Sequence, residues 1–257
     1  MFSIGCTRTY IEPRVTLQSK AQMCVATYNI RHGVGMDGKL NLSRTLKTIE
    51  GLNADIIALQ EVDQLATRSG QVDQVAWLAS RMNMYSAFGA FMDFQGGQYG
   101  LAILSRYPIH SSEEWRLTDG NEPRVALAAN VILPDGQVFT AVAVHFDWVS
   151  DDAFRFTQAS ETARLLKQLA TPWIVFGDFN DTPGSRTMDQ FYSIGSGIRP
   201  PTGDLFSFPA DLPEIEIDSI IAGPPQQWIV NEGTVIEDSA TSDHRPVTAI
   251  LRLKKTD

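Results

Sequence analysis

The sequence predicts an α/β protein (α+β in its segregation) built on mixed β-sheets, and three observations carry that reading. Short, unbroken apolar runs such as Ile174-Val175-Phe176 and Ile56-Ile57-Ala58-Leu59 have the length and composition of strands buried on both faces. Between Val125 and His145, two long strand-like runs are separated only by the turn Pro134-Asp135-Gly136, so those neighbours are antiparallel. Helical periodicity is confined to a few segments, fewer than a uniformly parallel sheet needs for its crossovers. At 257 residues the chain suffices for one large domain, set here at residues 23–257 behind an N-terminal extension, residues 1–22.

In chain order, Val25-Ala26-Thr27-Tyr28 reads as a strand closed by Asn29. The glycine-containing loop from Arg31-His32-Gly33 to Gly38 lacks the lysine-threonine ending of a phosphate-binding P-loop. Leu42, Leu46, Ile49 and Leu52 recur at helical spacing, and Asn53 closes that helix. A strand over 55–59 delivers Gln60-Glu61. Residues 68–74 read as polar loop, 75–82 as a short helix, and 91–99, rich in glycine and glutamine, as a loop before a strand at 100–104. Arg124 opens the hairpin of strands 125–133 and 137–145, which delivers His145. Ser150-Asp151-Asp152 begins a helix whose buried stripe is Ala159, Ala163, Leu166 and Leu169. The strand 174–176 stops at Gly177 and presents Asp178 and Asn180 two residues apart. Residues 195–213 read as an ordered surface loop. Strands at 215–221, with Asp218 inside, at 228–236 and at 247–253 complete the chain, and Ser242-Asp243-His244-Arg245-Pro246 precedes the last.

Composition narrows the classes of function. Net charge is −9 and the sequence pI about 4.9, with basic residues scattered and only Lys254-Lys255 adjacent. Tight non-specific binding of nucleic acid needs clustered phosphate contacts, so nucleic acid is possible but not favoured. A divalent cation would invert the local sign and admit a phosphorylated substrate. Cys6 and Cys24 form neither a metal-ligand set nor a disulfide framework. No apolar run approaches membrane-spanning length, and without a complete signal peptide a cytoplasmic location is expected. Ser3-Ile4-Gly5-Cys6 loosely resembles the end of a lipoprotein signal, which leaves export as the alternative if the true start lies upstream. Oligomeric state is not readable from the sequence.

One constellation stands out. Asn29, Glu61, His145 and Asp178 each end an apolar strand, Asp218 lies near the start of one, and Asp243-His244 immediately precede another. Each has an ordinary explanation alone: a turn residue, a solvated carboxylate, a satisfied core histidine, a cap. Together, on sheets with antiparallel neighbours, they gather on one rim. Carboxylates without cysteines suit a hard cation, Mg²⁺ or Mn²⁺. Asn29 and Asn180 can contact phosphate oxygens or water without adding charge. Asp218 beside His244 has the makings of an oriented general base, leaving His145 to be protonated and to face a leaving oxygen. Phe146, Trp148, Phe154 and Phe156, which follow His145, are either core or an apolar lip beside the site.

Thr27-Tyr28-Asn29-Ile30, Leu59-Gln60-Glu61-Val62, Gly177-Asp178-Phe179-Asn180, Ile217-Asp218-Ser219-Ile220 and Ser242-Asp243-His244-Arg245-Pro246 resemble, in order, the motifs of the endonuclease/exonuclease/phosphatase superfamily. The resemblance runs from about Met23 to Leu253 and is nearest to a bacterial metal-dependent hydrolase branch. It implies a deoxyribonuclease I-like, four-layered sandwich of two mixed sheets flanked by helices, and metal-dependent cleavage of phosphate esters. By resemblance, Glu61 is the principal metal ligand, with Asn29 and Asp243 close to the metal. Asp178 positions the attacking water, and Asn180 holds a phosphate oxygen. His244, paired with Asp218, acts as base or stabilises the pentacovalent phosphorus. His145 matches the second histidine of the deoxyribonuclease and sphingomyelinase branches, and Arg124 is an extra phosphate clamp. The expected substrate is a small or lipid-linked phosphodiester, because Asp37, Asp63, Asp147, Asp151 and Asp152 fall in loops placed near the site and repel an extended polyanion. A DNA endonuclease or exonuclease is one alternative, and a non-catalytic binding module of the same fold is another.

Overall fold

The computed structural model describes residues 22–199 and 203–254. Cys6 and the lipoprotein-like stretch lie outside the described residues, as does Lys255. Strands β1 (Gln22–Asn29) and β2 (Ile56–Gln64) run parallel, Val25 opposite Ile56 and Tyr28 opposite Leu59. Successive side chains go to opposite faces: Val25, Ile56 and Ala58 enter a central core, while Ala26, Tyr28, Ile57 and Leu59 enter a second core beneath helices. Burial on both faces is why these runs are nearly uninterrupted apolar sequence.

Helix α1 (Leu42–Gly51) connects these two strands, and the Asn41 side chain caps it by accepting from the Arg44 N–H. Helix α2 (Gln74–Met82) is capped by Asp73 and ends at Asn83 in the left-handed region, φ 51°. Strands β3 (Tyr85–Phe94) and β4 (Gly97–Ser105) then form a hairpin. Residues 91–99 are therefore not a loop but two strands with Gln95 and Gly96, both at positive φ, between them. This turn matches the right-handed twist of the strands, as an Asn-Gly turn does. In β3 Ala87 and Phe91 face the central core, and the intervening Phe88 packs on the opposite side of the sheet.

The second half repeats the plan: β5 (Ile109–Arg116), β6 (Val125–Ile132), β7 (Val138–His145), α3 (Ala153–Gln168), β8 (Trp173–Asp178), α4 (Arg186–Tyr192), the short β9 (Ser196–Gly197) and β10 (Asp218–Gly223). Strand β5 is an exposed edge carrying Ser111-Ser112-Glu113-Glu114, a polar composition that hides it in the sequence. Strand β10 begins at Asp218 rather than at residue 215, because Ile215 pairs instead with Phe208 in the preceding loop. Strands β11 (Trp228–Val235) and β12 (Val247–Leu253) return to the first sheet.

The two six-stranded sheets have the orders β11-β12-β1-β2-β4-β3 and β5-β6-β7-β8-β10-β9. Their inner faces share a core containing Leu101, Leu127, Phe176, Ile220 and Ala249. Helices α1 and α2 cover the outer face of the first sheet and α3 and α4 that of the second, giving four layers. Among the described residues no helix is long and apolar enough to cross a membrane.

Candidate active site

Strand register brings the predicted residues to one rim. His145 lies directly opposite Asp178 in the parallel pair β7–β8, and Asp178 lies opposite Asp218 in the antiparallel pair β8–β10. The three side chains therefore form one row across three strands. Gly177 permits this closeness, since a Cβ there would collide with the carbonyl oxygen of Val144 on β7. Strand β12 is antiparallel to β1, with Val247 opposite Thr27, so the residues ahead of β12 arrive where β1 ends. Ser242 fixes that junction by donating its hydroxyl to the Asn29 carbonyl at 2.7 Å. Glu61 sits where the β2–β4 register shifts, in the left-handed region at φ 57°. The extra residue re-aims the carboxylate out of the sheet, and backbone strain of this kind costs about 1–3 kcal/mol.

Asp178 is the hub. Its Oδ2 accepts from Asn29 Nδ2 at 3.2 Å and lies 3.5 Å from His145 Nε2 and 3.7 Å from His244 Nε2. Asn29 Nδ2 also donates to Glu61 Oε1 at 3.1 Å, so one amide joins Glu61 of its own sheet to Asp178 of the other. His244 Nδ1 and Asp218 Oδ2 are 2.8 Å apart, and Ser207 Oγ donates to the same carboxylate oxygen at 2.6 Å. Burial opposes a charge on His244, but Asp218 and Asp178 outweigh it and raise its pKa to about 10. That direction favours an imidazolium at neutral pH, held by the Asp218 and Asp178 carboxylates. His145 behaves oppositely: burial, then the Arg124 and His244 charges, push it well below the ordinary histidine value, so it rests neutral rather than protonated. Burial raises Asp178, with Asp218 adding to the rise against the His244 charge.

Arg124 is 1% exposed, its guanidinium 4.8 Å from the Phe91 ring centroid, and its charge acts on both Glu61 and His145. Its Nε and Nη1 have no hydrogen-bond partner among the described residues. Asn180, at φ 51°, donates one amide hydrogen to the Phe146 carbonyl, and its backbone N–H binds Asp178 Oδ1, so one amide hydrogen remains for a ligand. Asp243 takes an ion pair from Arg31 at 3.4 Å. The sequence reading overlooked Ser207 and Glu122, the latter 3.2 Å from Arg124 Nη2. Nothing in the local sequence marks Ser207, whereas Glu122-Pro123-Arg124 carries the i, i+2 spacing of an extended pair. It also passed over His32, whose Nδ1 is 3.9 Å from Glu61 Oε2.

The aromatic lip divides: Phe146 is fully buried with Phe179 and Phe191, while Trp148 and Phe154 are exposed. Phe156 is half-buried under the Arg186 guanidinium. The acidic residues expected to repel a polyanion are mostly engaged. Asp63 is buried against Arg68 in two hydrogen bonds, and Asp147 is buried on the N–H groups of Asn121 and Val149. Asp37 pairs with Arg44 and Asp152 with Arg186. Their charge is neutralised or sequestered, so they contribute far less repulsion than their number suggests.

The residues fit a divalent cation. Glu61 and Asp178 converge on the Asn29 amide, and the nearby Asp243 charge raises Glu61 further after burial has raised it and the Asn29 hydrogen bond has opposed this. Clustered carboxylate and amide oxygens without sulfur are the donor set a hard cation takes. Asp178, Asp218 and His244 also bring ligand atoms within 4.8 Å of one another, but His244 Nδ1 is already committed to Asp218.

Comparison with known proteins agrees with this geometry. The chain is 26% identical over 249 residues to the uncharacterized protein YbhP of Escherichia coli (strain K12), covering 89% of this chain and 96% of YbhP. Its structure resembles an endonuclease/exonuclease/phosphatase from Beutenbergia cavernae DSM 12333 (TM-score 0.76, 23% identity, 90% of this chain and 72% of that one). It also resembles the mannosyl-6-phosphatase Bt3783 of Bacteroides thetaiotaomicron VPI-5482 (TM-score 0.69, 20% identity, 89% and 99%). The pattern common to the Endonuclease/Exonuclease/phosphatase family, whose members hydrolyse phosphoesters, extends over residues 26–244 and so takes in Asn29, Glu61, Asp178 and His244 together. The chain belongs to that family.

Proposed function

We propose that this protein is a divalent-metal-dependent phosphoesterase that hydrolyses a phosphodiester, a small or lipid-linked one. The observation that carries the reading is the placement of the Asp178 carboxylate between two histidines of opposite protonation state and the Asn29–Glu61 pair. Glu61, with Asn29 and Asp243, would hold Mg²⁺ or Mn²⁺. When bound, the cation supplies positive charge against the phosphate oxygens.

The remaining steps belong to side chains. Asp178, raised by burial, is suited to orient the attacking water and take its proton. The His244 imidazolium, fixed by Asp218 and Ser207, offsets charge growing on the pentacovalent phosphorus. Arg124 offers its two unpartnered nitrogens, and Asn180 its remaining amide hydrogen, to non-bridging oxygens. His145 starts neutral; the negative charge of a bound phosphate raises its proton affinity, and the proton it gains goes to the departing oxygen. Net charge and the exposed Trp148 and Phe154 support a compact or lipid-linked substrate over duplex DNA.

The test is hydrolysis by chelator-treated protein, with Mg²⁺ or Mn²⁺ restored, of bis(p-nitrophenyl) phosphate, glycerophosphodiesters, phospholipids and plasmid DNA. Metal-dependent turnover of the small diesters is expected. Full activity without metal, or none with it, would overturn the proposal.

A further inference from the structure

The segment that leads into β6 places an acid on the phosphate-facing arginine. Pro123 fixes its own φ and disfavours helical backbone at the residue before it, so the chain enters β6 with Glu122 and Arg124 close together. Glu122 Oε2 accordingly lies 3.2 Å from Arg124 Nη2. The loop is held in place. Gly120 N donates to Glu122 O, Leu117 N donates to Arg124 O, and Asn121 N donates to the buried Asp147 at 2.6 Å. Of the three guanidinium nitrogens, Nη2 is engaged by a carboxylate whose side chain is 35% exposed, and Nε and Nη1 are buried and unpartnered among the described residues.

We propose that Glu122 sets the charge of the phosphate group this site accepts, favouring monoanionic phosphodiesters over dianionic phosphomonoesters and inorganic phosphate. The inference rests on Arg124 contacting the substrate phosphate, as proposed above. Arg124 and Glu122 together are electrically neutral. Either unengaged nitrogen can still donate a hydrogen bond to a phosphate oxygen, but the pair offers no net charge to balance a second negative charge. A phosphodiester carries a single charge at neutral pH. A monoester, with a second pKa of about 6, carries nearly two. The added charge meets Glu122 at the rim and the carboxylates of Glu61 and Asp178 inside it. Discrimination is therefore achieved by a repulsive group placed on an attractive one.

Glu122→Gln keeps the acceptor oxygen and removes the charge; Glu122→Ala controls for size. With metal-loaded protein, kcat/KM is measured for p-nitrophenyl phosphate and bis(p-nitrophenyl) phosphate, and calorimetry gives the Kd of inorganic phosphate and of dimethyl phosphate. In both variants the monoester-to-diester ratio of kcat/KM should rise by about tenfold or more, 1.4 kcal/mol by the tenfold conversion. Inorganic phosphate should gain more affinity than dimethyl phosphate, because the change in potential acts on nearly two charges rather than one. Unchanged ratios in both variants would overturn the inference while leaving the diesterase reading intact. A wild-type protein that hydrolyses neither ester would instead overturn that reading, and the two binding constants would then decide this one.

Discussion

At Asp178 the environment opposes ionisation while the chemistry needs it, and the neighbours divide the work. The carboxylate is buried beside a second carboxylate, Asp218, yet an imidazolium lies 3.7 Å away and an amide donor 3.2 Å away. Because His244 carries the charge in this group, its link to Asp218 is also a stability term. The folded pKa of about 10 lies above the ordinary histidine value of 6.5, so the stabilisation is complete below pH 6.5 and disappears as pH rises through about 10. Denaturation of the metal-free wild type and Asp218→Asn at a series of pH values should show the gap between them narrowing over that window. A gap that is constant or widens would show that His244 is not the group concerned. Glu61→Gln keeps the shape and loses the charge, so metal affinity measured by titration should fall by about tenfold or more. His145→Ala should cost most on a substrate with a poor leaving group and least on a p-nitrophenyl diester, whose leaving group departs without a proton. Equal losses on both would remove the acid role. These residue identities were visible in the sequence because each sits where an apolar run starts or stops. The protonation states were not, because they depend on the register that sets Asp178 between residues 33 positions before it and 40 and 66 positions after it.

Among the elements, residues near the strand ends also set how closely neighbouring strands approach. Gly177 is the clearest case: it allows β7 and β8 to approach just before Asp178. Gly177→Ala must push the backbones apart or distort β8, so unfolding stability should fall by about 1–3 kcal/mol and phosphoesterase activity should fall with it. A variant with unchanged denaturation midpoint and activity would show that the strands tolerate the shift. Strands buried on both faces, such as β2 and β8, were readable as apolar runs. The hairpin β3–β4 was not. One face of β3 is partly solvated, and its inner face includes Gly89, whose added Cβ would crowd Leu127 at 3.2 Å. Strand β5 was hidden for a related reason, since its edge position lets serine and glutamate occupy a strand. The bulge at Glu61 is unreadable locally, because nothing in Leu59-Gln60-Glu61-Val62 distinguishes a left-handed glutamate from an ordinary one.

Over the whole molecule, charge is what separates the candidate substrates. Acidic residues outnumber basic ones 30 to 21, but the loop aspartates expected to repel a polyanion do not act as free charges. Asp63 and Asp147 are buried in hydrogen bonds, and Asp37 and Asp152 are paired with arginines. The basic residues pay the same way: Arg44, Arg68, Arg155 and Arg186 are tied into intramolecular pairs, and Arg124 is buried inside the site. Cations held in such pairs are not free to lie along a nucleic acid backbone, and DNA affinity requires several released counterions. Preference for a compact substrate thus follows from missing attraction more than from local repulsion. In competition near physiological salt, small diesters should be turned over at enzyme concentrations that leave plasmid DNA intact. Lowering the salt should help the plasmid little, because a protein with few phosphate contacts has a shallow salt dependence. Plasmid cleavage that rises steeply as salt falls would reveal an array of phosphate contacts and make the chain a nuclease.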